Sequence, residues 1–140
     1  MSLHVLDTDT LTLVEEGHPA VSRRFLQHRA EDVAITVLTV EEQLSGWYTA
    51  LRKAKQPSKL AWAYRRLGDA VRHLARFQIL TYNERAMERY DNLRKRKVKI
   101  KRTDLRIAAT VLEHGAILVT RNLRDFKQVP GLQIEDWTQE

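Results

Sequence analysis

The sequence has no cysteine, which excludes a disulfide framework and every cysteine-bearing zinc or redox centre. It has no apolar run approaching the roughly 18 residues that a membrane-spanning helix needs. It has no uninterrupted signal-peptide core either, because Met1-Ser2-Leu3-His4-Val5-Leu6 meets an acid at Asp7. A cytoplasmic protein without membrane association is therefore expected. The four serines stand in no G-x-S-x-G setting, and the five histidines show no H-E-x-x-H spacing. Neither a serine-nucleophile motif nor a zincin motif is present. Internal repeats, low-complexity tracts and linkers are missing too.

What remains is the composition of a soluble globular chain: 140 residues, 43% hydrophobic and 30% charged. That length fits one domain over residues 1–140, with a core of its own and no room for a second. The net charge is +6, and it is unevenly spread. Residues 1–50 carry 3 Lys/Arg against 8 Asp/Glu, and residues 103–140 carry 4 against 6. Residues 51–102 carry 17 against 4. A basic centre favours a polyanionic partner, although solvated Lys and Arg on helix faces produce the same count.

Short apolar runs at Leu3–Leu6, Val33–Val37, Gln78–Leu80, Ala116–Val119 and Leu132–Ile134 read as strands. Helical periodicity covers Thr10–Glu16, Pro19–Gln27, Val40–Lys55, Pro57–Arg76, Asn83–Lys97 and Asp104–His114, and Gly115 closes the last of these. Strands that are continuously apolar and alternate with helices form parallel sheets covered on both faces. The fold class is thus α/β, a three-layer α/β/α sandwich with a mainly parallel sheet.

Open sheets of this kind place their sites at the carboxyl ends of strands. Asp7 follows the first run, and Thr120, Asn122 and Asp125 follow Ala116–Val119. Glu42 opens the helix after Val33–Val37, and Asp104 opens the helix leading to Ala116–Val119. Four carboxylates at one edge repel by about 4 kcal/mol per pair at ~4 Å and an effective dielectric near 20. They need a cation or raised pKa values, and Mg²⁺ or Mn²⁺ suits an all-oxygen donor set. Each acid also has a structural reading. Thr39-Val40-Glu41-Glu42 matches a capping box with Thr39 as N-cap. Asp104 in a first turn favours the helix dipole, and Asp125 in the turn Arg121–Phe126 fixes backbone amides.

These same residues carry a family resemblance. Val5-Leu6-Asp7-Thr8-Asp9 resembles the opening of PIN domains, and Val40-Glu41-Glu42-Gln43-Leu44-Ser45-Gly46 their second motif. Asp104-Leu105-Arg106-Ile107-Ala108-Ala109 is similar to the third motif. Leu118-Val119-Thr120-Arg121-Asn122-Leu123-Arg124-Asp125-Phe126 resembles the fourth, continuing to Val129-Pro130-Gly131-Leu132. The motifs run in order from residue 5 to about Trp137, and the first two alone are weak. The resemblance, closest to the toxin half of VapBC toxin–antitoxin pairs, implies a Mg²⁺- or Mn²⁺-dependent endoribonuclease. Asp7, Glu42, Asp104 and Asp125 then surround the metal as ligands and catalytic groups, with Thr8, Thr120 and Asn122 in support. It also implies a VapB-like antitoxin and a homodimer. Asp9 departs from the Asn of many relatives.

Metal-activated water then does the chemistry, and no side-chain nucleophile is required. Arg121 and Arg124 beside the fourth motif, and Arg96, Lys97, Lys99, Lys101 and Arg102 before Asp104, are candidates for RNA phosphates. In the Ser58–Arg76 segment Leu60, Tyr64, Leu67, Val71 and Leu74 form one apolar stripe, expected to pack inward. Trp62 falls opposite among arginines, and with Arg65 and Arg66 is expected to contact the antitoxin. Two other readings compete. Leu6-Asp7-Thr8-Asp9 resembles the D-x-D loop of haloacid-dehalogenase-like phosphotransferases, with Asp7 as nucleophile, but Leu11 stands where that motif has Thr or Val. A non-catalytic nucleic-acid-binding protein accounts for the basic centre and leaves the four acids unexplained.

Overall fold

The computed structural model describes residues 2–139. Five parallel strands, β1 (His4–Leu6), β2 (Val33–Thr36), β3 (Gln78–Leu80), β4 (Ile117–Val119) and β5 (Gln133–Glu135), form one sheet in the order β3-β2-β1-β4-β5. The expected strands are all present, and the expected mainly parallel sheet is wholly parallel.

Seven helices connect them: α1 (Thr8–Glu15), α2 (Pro19–Leu26), α3 (Val37–Lys53), α4 (Pro57–Leu74), α5 (Glu84–Lys95), α6 (Arg102–Glu113) and α7 (Leu123–Phe126). A 3-10 turn at Ala30–Asp32 leads into β2. Alternation along each short strand serves two cores. Val5, Ala34, Leu80 and Leu118 pack with Tyr90 and Leu93 of α5 and Leu105, Ala108 and Ala109 of α6. Leu6, Val33, Ile35 and Val119 pack with Leu11 and Leu13 of α1, Val21 of α2 and Trp137. Trp137 is buried, donates from Nε1 to Glu135 Oε1 at 3.0 Å, and stacks on His28 with ring centroids 4.8 Å apart.

Helix starts differ from the sequence reading where a side chain claims the first free amides. Asp7 is the N-cap of α1, its Oδ1 accepting from the Thr10 amide at 2.8 Å, so the helix begins at Thr8 rather than Thr10. Thr36 caps α3 through the Thr39 amide at 3.3 Å, so Val37 belongs to the helix, not the strand. The capping box expected at Thr39 and Glu42 therefore does not form. Thr39 is buried one turn inside the helix, and Glu42 is left free of capping. The Arg121–Phe126 turn contains the single helical turn α7.

The stripe expected to turn inward on α4 is also corrected. Tyr64 and Val71 are 59% and 50% exposed, and Leu60 is exposed as well. Leu67 and Leu74 of the expected stripe do face inward, and Ala63 and Ala70 complete that face in place of Leu60, Tyr64 and Val71. Small Ala63 and Ala70 let α4 lie close against α3, and close approach outweighs side-chain bulk in choosing the face.

Candidate functional site

Chain direction around the sheet reverses at β1: β2 and β3 lie on one side, β4 and β5 on the other. A crevice at the carboxyl ends is the necessary result, and the cavity found there has a volume of about 640 Å³. Its walls are Asp7, Thr8, Asp9, Glu42, Asp104, Arg121, Asn122 and Phe126.

Each acid arrives on a different element. Asp7 follows β1 directly, and its amide donates to the Val119 carbonyl at 3.1 Å, extending the ladder to β4. Its side chain is almost fully buried, and burial raises its pKa above the ordinary value. Hydrogen bonds from Thr120 and Thr10 offset part of that rise, and the charge of Asp9 adds to it. Glu42 stands on the second turn of α3, where Thr8 Oγ1 donates to its Oε1 at 2.6 Å. The Thr8 hydroxyl also lies 3.0 Å from that of Thr39, which ties α1 to α3. Asp104 is the third residue of α6. Burial first, then the charges of Glu42, Asp7 and Asp125, push its carboxyl up to about 6, and Lys101 opposes them. Asp125, in α7, accepts from Asn122 Nδ2 at 3.0 Å and stands behind the cavity wall rather than on it.

Asp104 thus feels the charges of three carboxylates carried by other elements. Among the described residues no three His, Asp or Glu side chains already stand close enough to hold an ion. Asp7, Glu42 and Asp125 are each held by a local donor instead. The donor chemistry nevertheless fits a hard divalent cation. It is all oxygen, it is partly desolvated, and its raised carboxyl at Asp104 reports a repulsion that a cation relieves.

Of the supporting residues, Thr8 and Asn122 line the cavity, while buried Thr120 accepts from the Asn122 amide at 3.0 Å and shapes the loop from below. The basic candidates divide. Arg121 is in the wall; Arg124, Arg96, Lys97, Lys99, Lys101 and Arg102 are not. Lys97 adopts φ +59° at the end of α5, where the Val98 amide reaches the Leu93 carbonyl and turns the chain toward α6. Trp62 is half-exposed and meets the edge of Trp47 from α3 at 5.6 Å, and the Arg66 guanidinium lies 5.2 Å from the Trp47 ring centre. The sequence reading places Trp62 opposite the expected apolar stripe, but that stripe as a whole does not face inward, and Trp62 partly covers the adjacent helix α3 through Trp47. Sequence reasoning also missed Asp7 as a cap, the Thr8–Thr39 link and the grip of Arg121 on Asp9. Only the first had a usable signal, an Asp immediately before a helical pattern.

A parallel sheet with this order, carrying acids just after β1 and on α3, α6 and α7 at one edge, defines an acid-lined α/β class. A family model described as PIN domain matches residues 5–132, and the chain belongs to the PIN-domain family. It is 27% identical over 141 aligned residues to Ribonuclease VapC2 of Rickettsia felis, covering 96% of this chain and 98% of that one. It is 26% identical over 137 residues to the tRNA(fMet)-specific endonuclease VapC of Salmonella typhimurium, covering 95% and 96%. The crystal structure of DNA-bound VapBC from Salmonella typhimurium superimposes with a TM-score of 0.79 at 26% identity, over 98% of this chain and 99% of that one. PIN nucleases in general depend on a divalent metal. The phosphotransferase alternative falls with the family match, and Asp9, its required acid/base, is occupied by Arg121.

Proposed function

We propose that this protein is a Mg²⁺-dependent endoribonuclease, with Mn²⁺ able to substitute, and that it acts as the toxin of a type II toxin–antitoxin pair. The observation that carries the reading is the cavity at the switch point of the sheet, into whose wall Asp7, Glu42 and Asp104 arrive from three different elements. The VapC relatives, aligned over nearly their whole length, support it.

In this reading Asp7, Glu42, Asp104 and Asp125 hold the ion, and all four serve catalysis through it. A divalent ion bound there supplies acidified water and charge stabilisation at the scissile phosphate. The chain's own residues set the geometry. The Thr10 amide pins one oxygen of Asp7, and the Thr120 hydroxyl helps to hold the carboxylate. Thr8 does the same for Glu42, and Asn122 for Asp125. The ligand set is thereby oriented before the ion arrives, which lowers the cost of closing around it. The basic α5–α6 connection, Arg96 to Arg102, tracks the RNA backbone beyond the site. A VapB-like antitoxin is the proposed protein partner, contacting Trp62, Arg65 and Arg66, and the toxin is proposed to form a homodimer. Purified protein is expected to cleave RNA with Mg²⁺ or Mn²⁺ and to stop on chelation. Undiminished cleavage in excess EDTA overturns the reading.

A further inference from the structure

One carboxylate of the cavity wall, Asp9, is left out of the proposed ligand set. Asp9 is on the first turn of α1, and both its oxygens are taken by one guanidinium. Arg121 Nε donates to Oδ2 at 2.6 Å, and Nη2 donates to Oδ1 at 3.0 Å. The pair bridges α1 to the loop after β4 across the cavity mouth. With the two side chains 47% and 51% exposed, such a bridge adds little to fold stability. An extra acid in a cleft for a polyanion also works against substrate binding. Both facts need a reason for Asp9 to be there.

The reason lies in what the pairing does to Arg121. It is the only cation among the residues lining this cavity. Two of its five N–H donors are committed to Asp9, and the other three remain at the cavity mouth. A guanidinium already fixed in one geometry loses less freedom on engaging a phosphate than a swinging side chain does. We propose that Asp9 is a positioning residue, and that it holds Arg121 as a preset fork for the RNA phosphate adjacent to the scissile one. Arg121 then fixes the register in which the strand crosses the four carboxylates. This inference rests on the ribonuclease reading and adds to it two residues that bind no metal. It makes a prediction of unusual sign. On charge alone, neutralising Asp9 tightens RNA binding, whereas loss of the clamp weakens it.

The test measures anisotropy of a labelled single-stranded oligoribonucleotide bound to the Asp104→Asn protein, in EDTA and in Mg²⁺, across a salt series. Arg121→Ala is expected to weaken binding about tenfold and to reduce the slope of log affinity against log salt by about 0.7. Asp9→Asn is expected to weaken binding several-fold in both media. The Asp9→Asn/Arg121→Ala double variant is expected to bind no more weakly than Arg121→Ala alone. Arg121→Lys restores the salt slope but not the affinity, because a point charge lacks the fork. Tighter or unchanged binding by Asp9→Asn overturns the proposal, as do additive effects in the double variant. An Asp9 effect confined to Mg²⁺ makes it a metal ligand, and a melting point many degrees lower makes the pair a structural tie; either result overturns the clamp. Wild-type cleavage in Mg²⁺ is run beside these assays. If it persists while Asp9→Asn is silent, the clamp alone fails; if it is absent, the ribonuclease reading fails first.

Discussion

Replacing Asp104 by Asn separates a carboxylate kept for chemistry from one kept for structure, because the two roles give opposite signs of stability change. The Asp104 carboxyl is pushed up to about 6 by burial and by Glu42, Asp7 and Asp125, against about 3.9 in an unfolded chain. The folded protein therefore holds this proton more tightly than the unfolded chain. Below about pH 4 both states are protonated and nothing is lost. Between about pH 4 and 6 the unfolded chain ionises first, and above about pH 6 the fold bears the full cost. Two pKa units correspond to about 3 kcal/mol. The side chain is only half-buried, so solvent screening reduces this to about 1.5 kcal/mol. Asn also loses the attraction of an anion for the first turn of α6, about 0.5 kcal/mol. A net gain of about 1 kcal/mol remains near neutral pH, which raises the melting point of a chain this size by about 3–4 °C. Thermal unfolding followed by circular dichroism in EDTA, from about pH 4 to pH 8, measures it. The gain is expected to vanish at the acid end and to level off above about pH 6. Millimolar Mg²⁺ should stabilise the wild type more than the variant. A lower melting point for Asp104→Asn near neutrality, or a difference that ignores pH, refutes the reasoning.

Three further outcomes are expected. Asp7→Asn abolishes cleavage but keeps the α1 cap, since Asn caps as well as Asp, whereas Asp7→Ala loses activity and about 1 kcal/mol of stability in denaturant titration. Reversing the charges of Lys99, Lys101 and Arg102 raises the KM for RNA and flattens its salt dependence, with kcat nearly unchanged; an unaltered slope makes the run a solvated surface. Trp62→Ala weakens antitoxin binding by more than about 1 kcal/mol in calorimetry and lowers the melting point of the free protein little, since the ring is half-exposed and its aromatic contact is the T-shaped one with Trp47.

Much of this molecule is written locally in its sequence. The three central strands are three- or four-residue, largely apolar runs between polar or turn residues, as the buried middle of a parallel sheet requires, while the edge strands β3 and β5 are partly exposed and carry Gln78, Gln133 and Glu135. The acids that gather at the cavity were legible for the same reason: strand ends and helix starts fix where Asp7, Glu42 and Asp104 must stand. What stayed hidden depends on partners distant in the chain. Thr36 and Thr39 are equally good caps by type, and burial of Thr39 against Thr8 decides between them. On α4 two overlapping stripes share one period, and packing against α3 selects the one with the smaller side chains. The grip of Arg121 on Asp9 joins residues 112 apart, and no local pattern reports it.

The central position of β1 also dictates when the site is complete. β1 is synthesised long before the partners it needs: His4 pairs with Ile117 and Leu6 with Val119, and the core beside Leu6 is filled by Trp137. Until those residues are made, β1 has an open edge, and Asp7 lacks both its ladder bond to Val119 and the support of Thr120. Contacts of such long sequence separation also form slowly. A nascent chain therefore carries every acid of the site without the site itself. The site is assembled only once synthesis has passed Trp137, well over a hundred residues after the strand that anchors it.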